Sequence, residues 1–351
     1  MSWPWLARPL DQALQQLHSP AVLLYGPEGV GQFEFSLALA QAWLCEQAVA
    51  EGDARKQACG QCVSCRLMAA GSHPDFHLVL PEALQPGLGV GAVDAGADEA
   101  GAGKSRKPSQ EIKAEAIRGV VQFSQRTASR GRAKVVLIHP VERMNVVAAN
   151  TLLKTLEEPP GQVRFVLSGS ALEQLLPTVR SRCQAWRLAL PDADVAAQWL
   201  GQQLHPGASG AAAEVAQADA RVLLAAAGGQ PFSARERFEK GLNASSWVNL
   251  PRDLQQGQAG AMAQWPLSWT VESLQKLCHD LARTSVGAAP RYFPADCLPP
   301  APGLERLQQW SQELSRLARH ADHPWNLPLK IETLVLQARA VMRVRPARGS
   351  T

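Results

Sequence analysis

The sequence predicts an α/β protein, with a parallel sheet and flanking helices over residues 1–190 and helices alone beyond Pro191. Three observations carry that expectation. Val135–Ile138 and Val163–Leu167 are short apolar runs of the kind found in strands covered on both faces. Helical patterns alternate with the strand candidates, as crossover connections in a parallel sheet require. After Pro191 no strand pattern recurs and helical spacing takes over.

In order, the first strand is Ala21–Tyr25, broken sharply by Gly26-Pro27-Glu28-Gly29-Val30-Gly31. A helix follows from about Phe33 to Leu44, with Phe35, Leu39 and Trp43 at helical spacing. A cysteine-rich excursion covers 45–65, and His77–Leu80 reads as the next strand. Residues 83–109, dominated by Gly, Ala, Asp and Lys, read as a disordered surface insertion. Next come a helix from about Ile112 to Gln125, a basic loop Arg126–Arg132 and the strand Val135–Ile138.

Met144, Ala148, Leu152 and Leu156 then give a helix one apolar face, and Pro159-Pro160 must end it. After Val163–Leu167, a short helical segment delivers Ser181-Arg182-Cys183, and Ala185–Leu190 is a last strand candidate. Helices are expected at Asp194–Leu204, Ala211–Ala227, Trp269–Thr284, Leu304–His320 and Leu329–Val344. Gly228-Gly229-Gln230-Pro231 breaks this series, and Gly241 to Gly260 reads as a second junction.

At 351 residues, 46% apolar and 19% charged, the chain has the composition of a globular protein with room for two or three domains. A net charge of +4 is mild for this length and does not by itself call for nucleic acid. No run has signal-peptide or membrane-spanning length, so the expected compartment is the cytoplasm.

Gly26-x4-Gly31, after a strand and before a helix, has the placement of a phosphate-binding loop, with Gly26, Gly29 and Gly31 as its glycines. The chemistry fails at the next two positions. A nucleotide-hydrolysing loop needs Lys and then Ser or Thr; this chain has Gln32 and Phe33. The strand Val135–Ile138 should end in carboxylates for magnesium, and ends in His139-Pro140-Val141-Glu142. Glu142 alone reads as an ordinary helix-start residue. With two parts missing, hydrolysis of ATP by this chain is not expected. Gly101-Ala102-Gly103-Lys104-Ser105 lacks the first glycine and a preceding strand, and is a chance match.

Cys59-x2-Cys62-x2-Cys65 brings three thiolates within reach of one ion, and Cys45 is the first choice for a fourth ligand, ahead of His73 and His77. Four thiolates close the shell, so the expected ion is a structural zinc. Cys183, Cys278 and Cys297 are isolated and read as small buried hydrophobes. Arg182 is the one site residue with intact chemistry, a permanent planar cation suited to a phosphate.

Leu152-Leu153-Lys154-Thr155-Leu156-Glu157-Glu158-Pro159-Pro160 and Ser181-Arg182-Cys183 resemble signature motifs of the clamp-loader branch of the AAA+ family. Cys-Gly-x-Cys-x-Ser-Cys at 59–65 and Gly71-x-His73-Pro74-Asp75 look like the zinc module of its bacterial members and the segment after it. The resemblance runs from about Tyr25 to Leu190, interrupted by 83–109. It implies an AAA+ module at 1–190 with zinc at Cys45, Cys59, Cys62 and Cys65, an all-α lid at 191–242 and an all-α collar at 243–351.

The resemblance further implies a five-membered hetero-oligomeric ring with gamma/tau and delta subunits, loading a sliding clamp on primed DNA, with no membrane partner. Arg182 would then be an arginine finger reaching a neighbour's ATP in trans. The lost lysine and acidic motif point to a stator-like member without its own ATPase, because the gamma/tau member should retain both. The family's second sensing arginine is absent near Gly228–Pro231, and Gly169 stands where a polar sensor is expected. The competing expectations are an autonomous or gamma/tau-like P-loop ATPase, and a zinc-dependent DNA-binding module.

Overall fold

The computed structural model describes residues 3–47, 57–85, 108–320, 323 and 325–343. The chain divides into two compact units, Met1–Leu190 and Pro191–Thr351. The first holds a five-stranded, all-parallel sheet in the order β2-β3-β4-β1-β5. Its strands are β1 (Ala21–Tyr25), β2 (Phe76–Val79), β3 (Lys134–Ile138), β4 (Val163–Gly169) and β5 (Gln184–Arg187).

Alternate residues of each strand enter opposite layers, because side chains on a pleated strand point to alternate faces. Val22, Leu24, Val135, Leu137 and Val166 pack under α1 (Pro4–Gln16) and α2 (Gln32–Leu44). Ala21, Leu23, Val136, Ile138, Phe165 and Leu167 face the opposite way. There they meet α4 (Ala114–Gln125), α5 (Val146–Glu157) and α6 (Pro177–Arg180), while α3 (Val63–Ala69) belongs to the cysteine-rich excursion. The parallel α/β class is therefore present, and covering on both faces is why β1 and β3 read as unbroken apolar runs.

Several elements differ in detail from the sequence reading. Met144 lies before α5, where Asn145 caps the helix and its side-chain oxygen accepts the Ala148 N–H at 2.8 Å. Glu142 belongs to a separate 3-10 turn, Val141–Arg143. Most of 83–109 lies outside the described residues, but its two ends meet. The Ala83 N–H donates to the Ser109 carbonyl at 3.1 Å, and the Ser109 N–H to the Glu82 carboxylate at 2.8 Å. Glu82–Leu84 forms a 3-10 turn.

The second unit is helical: α7 (Ala193–Leu204), α8 (Ala211–Ala226), α9 (Pro231–Glu239), α10 (Ala244–Gln256), α11 (Leu267–Ser285), α12 (Leu304–Ala318) and α13 (Leu327–Met342). The stretch read as a junction at 241–260 contains α10. Its Asn and Ser signals are a helix start, where Asn243 and Ser246 form a reciprocal capping box. Trp247, Leu250 and Leu254 then bury one face. No helix among the described residues is long and apolar enough to cross a membrane.

Candidate functional site

Parallel strands put every strand's end at one edge of the sheet, which is where open α/β sheets usually bind ligands. At that edge Gly26–Gly31 follows β1, His139–Glu142 follows β3 and Ser170 follows β4. Gly31 has φ of 109°, a backbone region that glycine adopts without strain, and a Cβ on Gly26 would stand 2.3 Å from the Leu188 carbonyl. Trp5 on α1 braces the loop, its indole N–H donating to the Val30 carbonyl at 2.8 Å.

The loop's own side chains bond and pack against it. Gln32 is buried, and its amide donates to the carbonyls of Gly26 at 2.8 Å and Pro27 at 2.6 Å. Phe33, where a metal-binding hydroxyl would be needed, packs on the His139 ring with centroids 5.1 Å apart. Burial pushes the His139 imidazole down to about 4, so it is neutral near pH 7, and its Nδ1 shares a 2.8 Å hydrogen bond with the Ser168 hydroxyl.

Glu142 is committed elsewhere, which its reading as a plain helix-start residue missed. One carboxylate oxygen accepts the Ser170 N–H at 2.9 Å, the Ser170 hydroxyl at 3.0 Å and the Ala171 N–H at 3.4 Å. Gly169 makes room for it, since a Cβ there would lie 1.9 Å from the other oxygen. The lack of a side chain at Gly169 and the position of the Glu142 carboxylate are thus one packing arrangement.

Arg182 lies at the opposite edge, two residues before β5 begins. A five-residue strand spans about 16 Å, so Arg182 cannot serve this chain's own Gly26–Gly31 loop. Val179, fully buried, anchors α6, and Ser181 caps it. The Arg182 guanidinium forms an ion pair with Glu157 at the end of α5, through Nε at 2.8 Å and Nη2, while Nη1 donates to the Thr178 carbonyl at 2.8 Å. Cys183 packs beside the α4–α6 core, and burial pushes its thiol up to about 12, so it is no nucleophile.

The third group is the cysteine cluster. Cys45 caps α2, Cys62 caps α3, and the sulfurs of Cys45, Cys59, Cys62 and Cys65 all lie within 4.8 Å of one another. Cys45–Cys62 is 3.8 Å and Cys59–Cys65 is 4.0 Å. Thiolates about 2.3 Å from a tetrahedral zinc stand roughly 3.8 Å apart, so the set fits that ion. Backbone N–H groups of Gln61 and Cys62 pull the Cys59 thiol down to about 6, whereas burial pushes Cys65 up to about 12.

His73 and His77 stay outside the set: His73 Nδ1 accepts the Asp75 N–H at 3.0 Å, and His77 stacks on Phe123. The cluster is fastened to the basic loop. Arg132 donates to the Cys45 carbonyl, Arg130 pairs with Glu46 at 2.6 Å, and the Asp75 carboxylate accepts the N–H groups of Ser129 and Arg130.

Residues 6–192 match the family model described as "DNA polymerase III, delta subunit". A curated DNA polymerase III subunit delta' of Pseudomonas aeruginosa is 33% identical over 75% of this chain and 74% of its own length. The subunit delta' of Escherichia coli is 30% identical over 79% and 77%. A solved DNA polymerase III gamma subunit-related protein from Thermotoga maritima is 16% identical, covers 97% of this chain and 100% of its own, and has a TM-score of 0.46.

Proposed function

The chain belongs to the DNA polymerase III delta-prime family, and from that membership we propose that it is an ATPase-inactive stator within a clamp-loader complex. In this reading it sits in a hetero-pentameric ring beside gamma/tau and delta subunits, in the cytoplasm. Arg182 reaches the ATP of the neighbouring gamma/tau subunit, and the complex loads a sliding clamp on primed DNA. Residues 191–242 act as lid and 243–351 as collar, and a structural zinc is held by Cys45, Cys59, Cys62 and Cys65.

One observation carries the proposal: the phosphate-like loop is filled by Gln32, while Arg182 stands at the far edge of the same sheet. A guanidinium there has use for a phosphate only if another molecule brings it. Arginine supplied in trans stabilises charge developing on a transferring phosphoryl group, an effect on the order of 10³-fold or more. Its present partner is no obstacle. An exposed Arg–Glu pair contributes at most about 1 kcal/mol, and a charge-assisted phosphate contact competes with it.

The test is DNA-stimulated ATP turnover of the reconstituted complex with Arg182→Ala. The expected result is collapse of turnover at the adjoining site with the complex intact. Unchanged turnover sinks the arginine-finger reading, and Mg²⁺-dependent turnover by the isolated chain sinks the claim of inactivity.

A further inference from the structure

Two open clefts adjoin one another at the N-terminal edge of the sheet, where β3 and β4 begin. Their volumes are about 610 and 380 Å³, and they share Gly131, Arg132, Gly161, Gln162 and Val163 as common walls. The cationic groups are spread along both rather than gathered at one point. Arg132 and Arg164 line the larger cleft, together with the imidazole of His18, and Arg126, Arg132 and Lys134 line the smaller. No carboxylate lines either one.

Asp75 is buried and holds the amides of the basic loop, and Glu46 is paired with Arg130. Lys134 donates to the carbonyls of Phe123 and Arg126, and Arg132 to that of Cys45, so these cations are held by neutral acceptors. The Arg164 guanidinium lies over the Trp43 ring, 4.7 Å from its centroid. Trp43 also lines the larger cleft and is buried, and its indole N–H has no hydrogen-bond partner. The surroundings are rich in donors, poor in negative charge and fixed in place through the cysteine cluster.

We infer that these two clefts form one continuous seat for the phosphodiester backbone of a nucleic-acid strand, separate from the Arg182 site. A single phosphate needs convergent cations; a chain of phosphates needs them in series, as here. Planar arginine forks suit phosphate oxygens. The few apolar wall positions, Pro20, Ala42 and Ala133 among them, offer no deep pocket for the side chains of an acidic peptide. Contacts of this kind position a strand without reading its sequence.

The experiment is the affinity of the full chain, zinc-loaded, for a fluorescein-labelled mixed-sequence oligodeoxynucleotide, followed by anisotropy over a salt series. Arg126→Glu, at an exposed position, and Arg164→Gln are the test variants. Arg118→Glu, also exposed but on α4 away from the clefts, is the control for net charge. Each test variant should weaken binding about tenfold and flatten the salt dependence of log affinity by about one contact, while the control changes both far less. The inference is overturned by unchanged affinity and slope in Arg126→Glu, by an equal loss in Arg118→Glu, or by polyglutamate binding more tightly than the oligonucleotide. ATP plays no part in this measurement, so its outcome is independent of the arginine-finger test.

Discussion

At the C-terminal edge of the sheet, Gln32 bonds to its own loop, Phe33 covers His139, and Glu142 is held by Ser170 and Ala171. At the N-terminal edge, Arg126, Arg132 and Arg164 line open clefts, and Arg182 follows a short anchored helix and pairs with the exposed carboxylate of Glu157. The same five strands support both edges, so the scaffold does not decide which is active. What differs is where the side chains sit: Gln32, Phe33 and Glu142 turn inward on the loops around them, whereas Arg126, Arg132 and Arg164 line open clefts. Buried polar groups left unpaired would carry a desolvation cost. Here Gln32 bonds to the carbonyls of Gly26 and Pro27, Phe33 packs on His139, and one oxygen of Glu142 is held by Ser170 and Ala171.

Four experiments would break or sharpen the contrast. The largest effect is expected from Cys59→Ser. Zinc should fall from about one equivalent per chain, with a loss of stability bounded at about 16 kcal/mol. Hydrogen exchange should rise across 126–132, which Arg130 and Arg132 tie to the cluster, and stay slow at 139–142. Equal loosening of both edges would remove the distinction.

Acid comes next. The His139 imidazole is held at about 4 in the folded chain against an ordinary 6.5. Below pH 6.5 the unfolded chain therefore takes up a proton that the folded chain refuses. The stabilisation is complete above about pH 6.5 and is lost as pH falls towards 4, by roughly 3 kcal/mol. Urea midpoints measured for the parent and His139→Gln should converge as pH falls through this window; parallel curves would contradict a buried neutral imidazole.

Gly169→Ala should cost about 1–3 kcal/mol, because its methyl group overlaps the Glu142 carboxylate. Thermal unfolding of Gly169→Ala in a Glu142→Ala background should recover much of that loss, and strict additivity would mean that the two residues do not share the space. The smallest effect belongs to Glu157→Gln, where stability should move by less than about 1 kcal/mol. A larger shift in denaturant midpoint would make the Arg182 pair part of the framework rather than a weak, displaceable contact.

Much of this was legible in the chain itself, for identifiable reasons. β1 and β3 are buried on both faces, so their apolar runs needed no partner to be recognised. The glycine loop and the spaced cysteines are local patterns, and the structure brings Cys45 to the other three as expected. The helix within Gly241–Gly260 went unread because Asn and Ser mark helix starts as well as linkers, and the apolar face of Trp247, Leu250 and Leu254 crosses an internal proline, Pro251. The roles of Glu142 and Glu157 depend on partners 28 and 25 residues away, and no local pattern announces them. The two clefts were hidden for the same reason: their cations come from the starts of two different strands, β3 and β4, about 30 residues apart.

The hydrogen bond between Ala83 and Ser109 gives the first unit a practical property. It clasps the chain where it leaves β2 and again before α4, so the folded sheet senses a closed port rather than the length of chain beyond it. Each doubling of a flexible loop costs only about 0.6 kcal/mol. Cargo spliced between Gln85 and Pro108, such as a fluorescent domain or an affinity handle, should therefore ride on the protein at little energetic cost.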